Sequence, residues 1–149
     1  MGNRAVITTA NEWCDEKGIG VYLHWNGGRD SVEAFLTYCK LQGYVPPEED
    51  NYGWACLAMV VGNFFGCQGL SIGIDTVKCL DCDNGDNGVY IIEDWKIVGR
   101  ECFRGQEQQI YDLEGMLLEI DEKMPEGAQL GADEIREGLK ELMKDEVQD

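Results

Sequence analysis

The sequence predicts a single α+β domain: an antiparallel sheet of about five strands packed with about four helices, two of them C-terminal and acidic. Three observations predict it. Apolar residues alternate in some segments and recur at helical spacing in others. The two kinds of segment come in blocks, which argues against a strictly alternating parallel α/β sheet. The chain has 149 residues, 44% of them apolar, enough for one ordinary core. Residues 1–149 are therefore read as one domain, with 130–149 as a peripheral acidic helix or tail.

In chain order, Arg4 to Thr9 is a short β-rich run. Gly18 to Trp25 reads as a strand, with Val21 and Leu23 on one face and Tyr22 and His24 on the other. After a tight Asn26-Gly27-Gly28 loop, Val32, Phe35, Leu36 and Cys39 recur at helical spacing. Asp30 and Glu33 form a capping-box pattern ahead of them, and Gly43 is the stop. A loop, Val45 to Asp50, leads to a second helix from about Tyr52 to Phe65. Trp54, Leu57, Ala58, Val61 and Phe65 line one side of it, and Cys56, Met59, Val60 and Phe64 fill much of the rest. That breadth predicts a central, largely covered helix.

Leu70 to Val77 returns to strand-like sequence, and Asp83 to Gly88 is dense turn chemistry. Gly88 to Glu93 and Lys96 to Phe103 read as strands around an Asp94-Trp95 turn, so Leu70 to Phe103 is expected to form an antiparallel meander. A helix from about Glu107 to Met124 has Ile110, Leu113, Leu117 and Ile120 as its inner stripe. Pro125 to Gly131 breaks it. The last helix, Asp133 to Val147, turns Ile135, Leu139 and Leu142 inward.

Charge narrows the function. The chain holds 29 acidic against 12 basic residues, a net charge of −17. Binding to nucleic-acid phosphates requires the opposite balance, so no direct nucleic-acid partner is expected. Residues 101–149 carry 15 acids and 5 bases, net −10, against −7 for residues 1–100. The C-terminal third is thus about three times as acidic per residue. It is either a solvated helical face or a negative surface offered to a basic partner. On the second reading, Glu134, Glu137, Glu141 and Asp145 are the partner-binding residues. No apolar run approaches a membrane span, and the first residues lack the apolar core of a secretory signal, so a cytoplasmic protein with no membrane partner is expected. An odd count of seven cysteines fits free thiols in a reducing compartment.

The most pointed motif is Asn26-Gly27-Gly28-Arg29-Asp30-Ser31, between a strand and a helix. Backbone N–H groups at a helix N-terminus attract anions, and Arg29 adds a fork for phosphate or carboxylate. Trp25 or Tyr22 could pack a base. A plain capped turn uses the same residues. The segment resembles the Ser-Gly-Gly-x-Asp-Ser loop of PP-loop ATP pyrophosphatases, with Asn26 in place of the first Ser; that likeness covers six residues and implies nucleotide-phosphate chemistry. Cys79-Leu80-Asp81-Cys82 offers two thiols where a structural zinc needs four ligands, so it reads as half-buried thiols near a turn and no metal is expected. Asp81, Asp83, Asp86 and Asn87 fail the EF-hand pattern, because Gly85 would occupy the third ligand position. His24 is the only histidine. No catalytic set assembles around it, so no catalytic residues and no cofactor are expected.

The stretch Gly20-Val21-Tyr22-Leu23-His24-Trp25-Asn26-Gly27-Gly28-Arg29-Asp30-Ser31 and on to Leu36 resembles a signature of small acidic proteins. These are carried by prophages and mobile elements of Gram-positive bacteria. Tyr52-Gly53-Trp54-Ala55 and Asp83 to Ile92 resemble them too, so the likeness spans about residues 1–120. It implies a phage-side accessory protein, of a kind that is often a small, non-enzymatic inhibitor of host defences. With the net charge of −17, the acid-rich last two helices and the missing catalytic set, the expectation is a stoichiometric inhibitor of a bacterial defence system that binds a basic, nucleic-acid-handling surface. The alternative expectation is a nucleotide-sequestering protein that uses the Gly27-Gly28-Arg29 turn.

Overall fold

The computed structural model describes residues 2–66, 71–107 and 112–148, the last three by backbone alone. Cys67, Leu70 and Ile110 lie outside these. The fold is α+β. Strands β1 (Ala5–Thr9), β2 (Ile19–Leu23), β3 (Ile72–Thr76), β4 (Val89–Glu93) and β5 (Lys96–Glu101) make one sheet in the order β3-β2-β1-β4-β5. Four longer helices accompany it: α2 (Arg29–Gln42), α3 (Tyr52–Phe64), α4 (Leu113–Lys123) and α5 (Ala132–Gln148). A one-turn helix α1 (Ala10–Trp13), not anticipated from the sequence, links β1 to β2.

The sheet is mixed. β1 runs antiparallel to β2 but parallel to β4, with Val6 opposite Val89 and Ile7 opposite Tyr90. The expected meander is corrected accordingly: β3 pairs with β2, and β4 lies two strands away, beyond β1. The reason is the route of the chain after β3. Val77 and Leu80 pack on the β2 backbone at Gly20, on the face away from the helices, and carry the chain under the sheet. That crossover reaches the free side of β1 and lets β4 enter parallel to it. It also covers the second face of the central strand, so all five residues of β1 are buried.

The core lies between the sheet and the helices. Ala5, Ile7, Val21, Leu23, Tyr90 and Ile92 meet Val32, Phe35, Leu36, Leu57, Val61, Leu117 and Ile120. α2 starts on Gly28 and stops at Gly43, whose φ of 79° is the left-handed conformation that glycine adopts without strain. The expected capping box is not formed. Gly28 is the N-cap, while Asp30 lies inside the helix and accepts from the N–H of Ser31 at 2.8 Å. Nor is α3 covered all round: Tyr52 and Met59 are 71% and 42% exposed. It flanks the helical layer, where an apolar helix can still face water on one side. Asp94 and Trp95 both have positive φ (50° and 62°), the geometry a two-residue hairpin turn requires. Trp95 is held there by burial and by its Nε1 donating to the Tyr44 carbonyl at 2.9 Å.

The turn at 83–88 is organised by one buried side chain. Asn84 Nδ2 donates to the carbonyls of Asp81 and Gly88, and its Oδ1 accepts from the N–H groups of Asp86, Asn87 and Gly88. Asp86 then clamps Arg4 at 2.8 Å, and Arg4 holds the Asp86 carboxyl below its ordinary range. No helix among the described residues is long and apolar enough to cross a membrane.

Candidate functional site

Two regions carry the chemistry that the sequence pointed to. The first surrounds the N-terminus of α2. Asn26 takes a positive φ of 57° and donates through Nδ2 to Ser31 Oγ at 3.2 Å. Gly27 is buried. Its N–H donates to the Asn3 carbonyl at 2.8 Å and its own carbonyl accepts from Tyr90 Oη at 2.7 Å. The turn is thus docked on the start of β1, and the Gly27 N–H is spent there and does not face a ligand. Gly28 and Arg29 line an open cavity of about 230 Å³, together with Asn3, Asn87, Phe103 and Glu107. Tyr22 and Trp25 do not line it. They flank His24 instead: Tyr22 Oη lies 2.9 Å from His24 Nδ1, and the Trp25 ring stands edge-on to the imidazole at 5.1 Å.

Sequence reasoning missed two residues of this region. Arg100 lies on β5 directly opposite Tyr90. A bulge between Ile91 and Ile92 sets two β5 steps against one β4 step, so Ile97 and Arg100 both face the helices. Simple alternation from Ile97 would have turned Arg100 to the other face. Its guanidinium is sandwiched between the rings of Tyr90 and Phe103, at 3.9 and 3.8 Å from their centroids. Nη2 donates to the Asn87 carbonyl at 2.5 Å. Nε is buried with no acceptor among the described residues. Burial lowers the Arg100 pKa, and burial likewise pushes Tyr90 up to about 12. Glu107 is the second missed residue. It pairs with Arg100 Nη1 and lies 3.8 Å from Arg29 Nη1, while Arg29 Nε donates to Glu33 at 2.8 Å. Two guanidiniums therefore converge on one carboxylate.

The second region is α5. Ile135 is fully buried, Leu139 packs against the core, and Gly138 closes on Leu41. Glu134, Glu137, Glu141 and Asp145 are all exposed. Their spacing of three, four and four residues puts them on one stripe of the helix. Lys144 touches the stripe through Glu141 at 3.8 Å, both side chains being mostly solvated. The helix is fixed to the body by Asp121 of α4. This buried carboxylate accepts from Tyr38 Oη (2.5 Å) and from the N–H groups of Leu130 (2.8 Å) and Gly131 (3.0 Å), immediately before α5.

The six described cysteines are free thiols, Cys79 exposed and Cys82 half-buried. Among the described residues no three His, Cys, Asp or Glu side chains gather as a metal ion would require. No protein-family model matches the chain, and no curated protein and no solved structure is similar to it.

Proposed function

We propose that this chain works by binding: an accessory protein of a phage or mobile element that stoichiometrically inhibits a bacterial defence protein by covering its basic, nucleic-acid-handling surface. The observation that carries the reading is the exposed stripe Glu134, Glu137, Glu141 and Asp145 on α5. The stripe runs about 16 Å along the axis, about 5.5 Å per charge, against about 3.4 Å per phosphate of one DNA strand. It is a sparser anionic row of the same sign. The net charge of −17 adds long-range attraction toward any cationic surface.

Mass action supplies the test. A partner that normally holds nucleic acid is expected to be retained by the immobilised chain at low salt. Added duplex DNA should release it, and so should salt near 0.5 M, where the screening length falls to a few ångströms. Retention that neither DNA nor salt disturbs contradicts the reading.

A second reading, nucleotide binding at the Gly28-Arg29 end of α2, has one observation in its favour: the cavity lined by Gly28, Arg29, Asn87 and Phe103. A thermal-shift screen against nucleotides tests it. A ligand at 100 times its Kd adds about 2.7 kcal/mol of stability. Arg29→Ala is expected to abolish the shift.

A further inference from the structure

We propose that Arg29 and Arg100 form a binding site for the phosphoryl group of a small molecule, and that Glu107 is the tethered carboxylate occupying that site in the free protein. The α5 stripe plays no part in it. It deepens the second reading by naming the ligand group and a second cation. Arg100 is fixed before any ligand arrives, by the rings of Tyr90 and Phe103 and by the Asn87 carbonyl. Arg29 reaches the same place from the N-terminus of α2, whose positive end adds to the attraction. The cavity opens at Arg29, with Gly28, Asn87, Phe103 and Glu107 on its walls, and Arg100 stands behind it, holding Phe103, Asn87 and Glu107. In a chain with only 12 basic residues against 29 acidic ones, two guanidiniums meeting on one carboxylate are a local concentration of cations.

The occupant explains the ligand class. Glu107 stands on irregular chain after β5, its side chain 31% exposed, so it can leave without breaking a helix or strand. With Glu107 displaced, Arg29 keeps its ion pair with Glu33, while Arg100 loses its ion pair with Glu107. A free monocarboxylate offers the same chemistry as Glu107 but lacks the effective concentration of a tether, so it loses the competition. A phosphoryl dianion carries twice the charge and three acceptor oxygens, and it gains on both forks.

Isothermal titration of the full chain with inorganic pyrophosphate, inorganic phosphate and acetate at matched ionic strength tests this. Glu107→Gln is expected to bind pyrophosphate at least about tenfold tighter than the native chain, because the tethered competitor is gone. Adding Arg29→Gln in that background should reverse the gain; acetate should not bind the native chain and should bind Glu107→Gln far more weakly than phosphate. Equal affinity with and without Glu107 overturns the proposal, as does binding that survives Arg29→Gln or acetate binding as well as phosphate. If Glu107→Gln does not fold, the native chain decides. Millimolar pyrophosphate should shift the Arg100 Nε–H and Arg29 amide resonances, and an unmoved Arg100 Nε–H overturns the proposal.

Discussion

Asp121→Ala is expected to destabilise the chain by about 3–5 kcal/mol, the cost of breaking a buried, hydrogen-bonded carboxylate network by removing its acceptor. The Asp121 side chain is 6% exposed and serves three donors from two other parts of the fold. Tyr38 Oη comes from the centre of α2; the Leu130 and Gly131 N–H groups belong to the chain entering α5. Deleting the carboxylate leaves the tyrosine hydroxyl inside the core with only Gln42 Nε2, itself a donor, beside it. For a chain of this length the loss corresponds to a fall in Tm of roughly 8–15 °C. Tyr38→Phe removes one donor and leaves the other two bonds standing, so it should cost about 1–2 kcal/mol. Hydrogen exchange localises the effect. In Asp121→Ala the amides of α5 should open well before those of β1 and β4. A loss below 1 kcal/mol, or exchange that accelerates evenly across the chain, would show that α5 is held mainly by Ile135 and its apolar neighbours.

Gly27→Ala is the second large effect, expected at about 2–3 kcal/mol from overpacking against backbone. A Cβ at Gly27 would stand 2.4 Å from the Asn3 carbonyl oxygen, 2.8 Å from Ala5 Cβ and 2.9 Å from the Arg4 carbonyl carbon. None of these is the loose end of a side chain, so the turn itself must lift. Lifting it stretches both the Gly27–Asn3 and the Tyr90–Gly27 hydrogen bonds and moves the start of α2 away from Arg100. Gly43→Ala is the contrast. Nothing lies within 4 Å of a Cβ there, and only the left-handed φ of 79° opposes the change, so its cost should be nearer 1 kcal/mol. Equal melting temperatures for Gly27→Ala and the native chain would show that the turn is not docked as described.

These two residues also show what the sequence could and could not reveal. The alternation of Val21 and Leu23 against Tyr22 and His24 was legible because one face of β2 is core and the other only half-covered. The stop at Gly43 was legible because a left-handed C-cap favours glycine. Gly27 was visible as a glycine but carried two physical meanings, a phosphate-facing turn or a close backbone contact. Only the position of β1 separates them. Asp121 left a trace: an acid four residues after Leu117, on the inner stripe of α4. The order of the strands left none, because a two-residue period reports which face a side chain takes and says nothing about which strand lies beside it. Arg100 was hidden for the same reason, compounded by the bulge that turns it inward.

For function, the candidate stripe was fully legible, since Glu134, Glu137, Glu141 and Asp145 follow helical spacing on the side away from Ile135. The meeting of Arg29, Arg100 and Glu107 was not, because it joins a helix start, an edge strand and irregular chain across 78 residues of sequence. Periodicity finds faces of single elements, whereas sites assembled from several elements need their register.

The central claim is that the placement of charge on α5, rather than net charge alone, makes the binding surface. One measurement separates the two. Glu134→Gln, Glu137→Gln, Glu141→Gln and Asp145→Asn combined take the chain from −17 to −13. Glu49, Glu93, Glu101 and Glu119, all exposed and off α5, give the same −13 when changed to Gln. Partner capture at low salt should be lost in the first variant and kept in the second. Equal capture by both, or loss in both alike, would contradict the account.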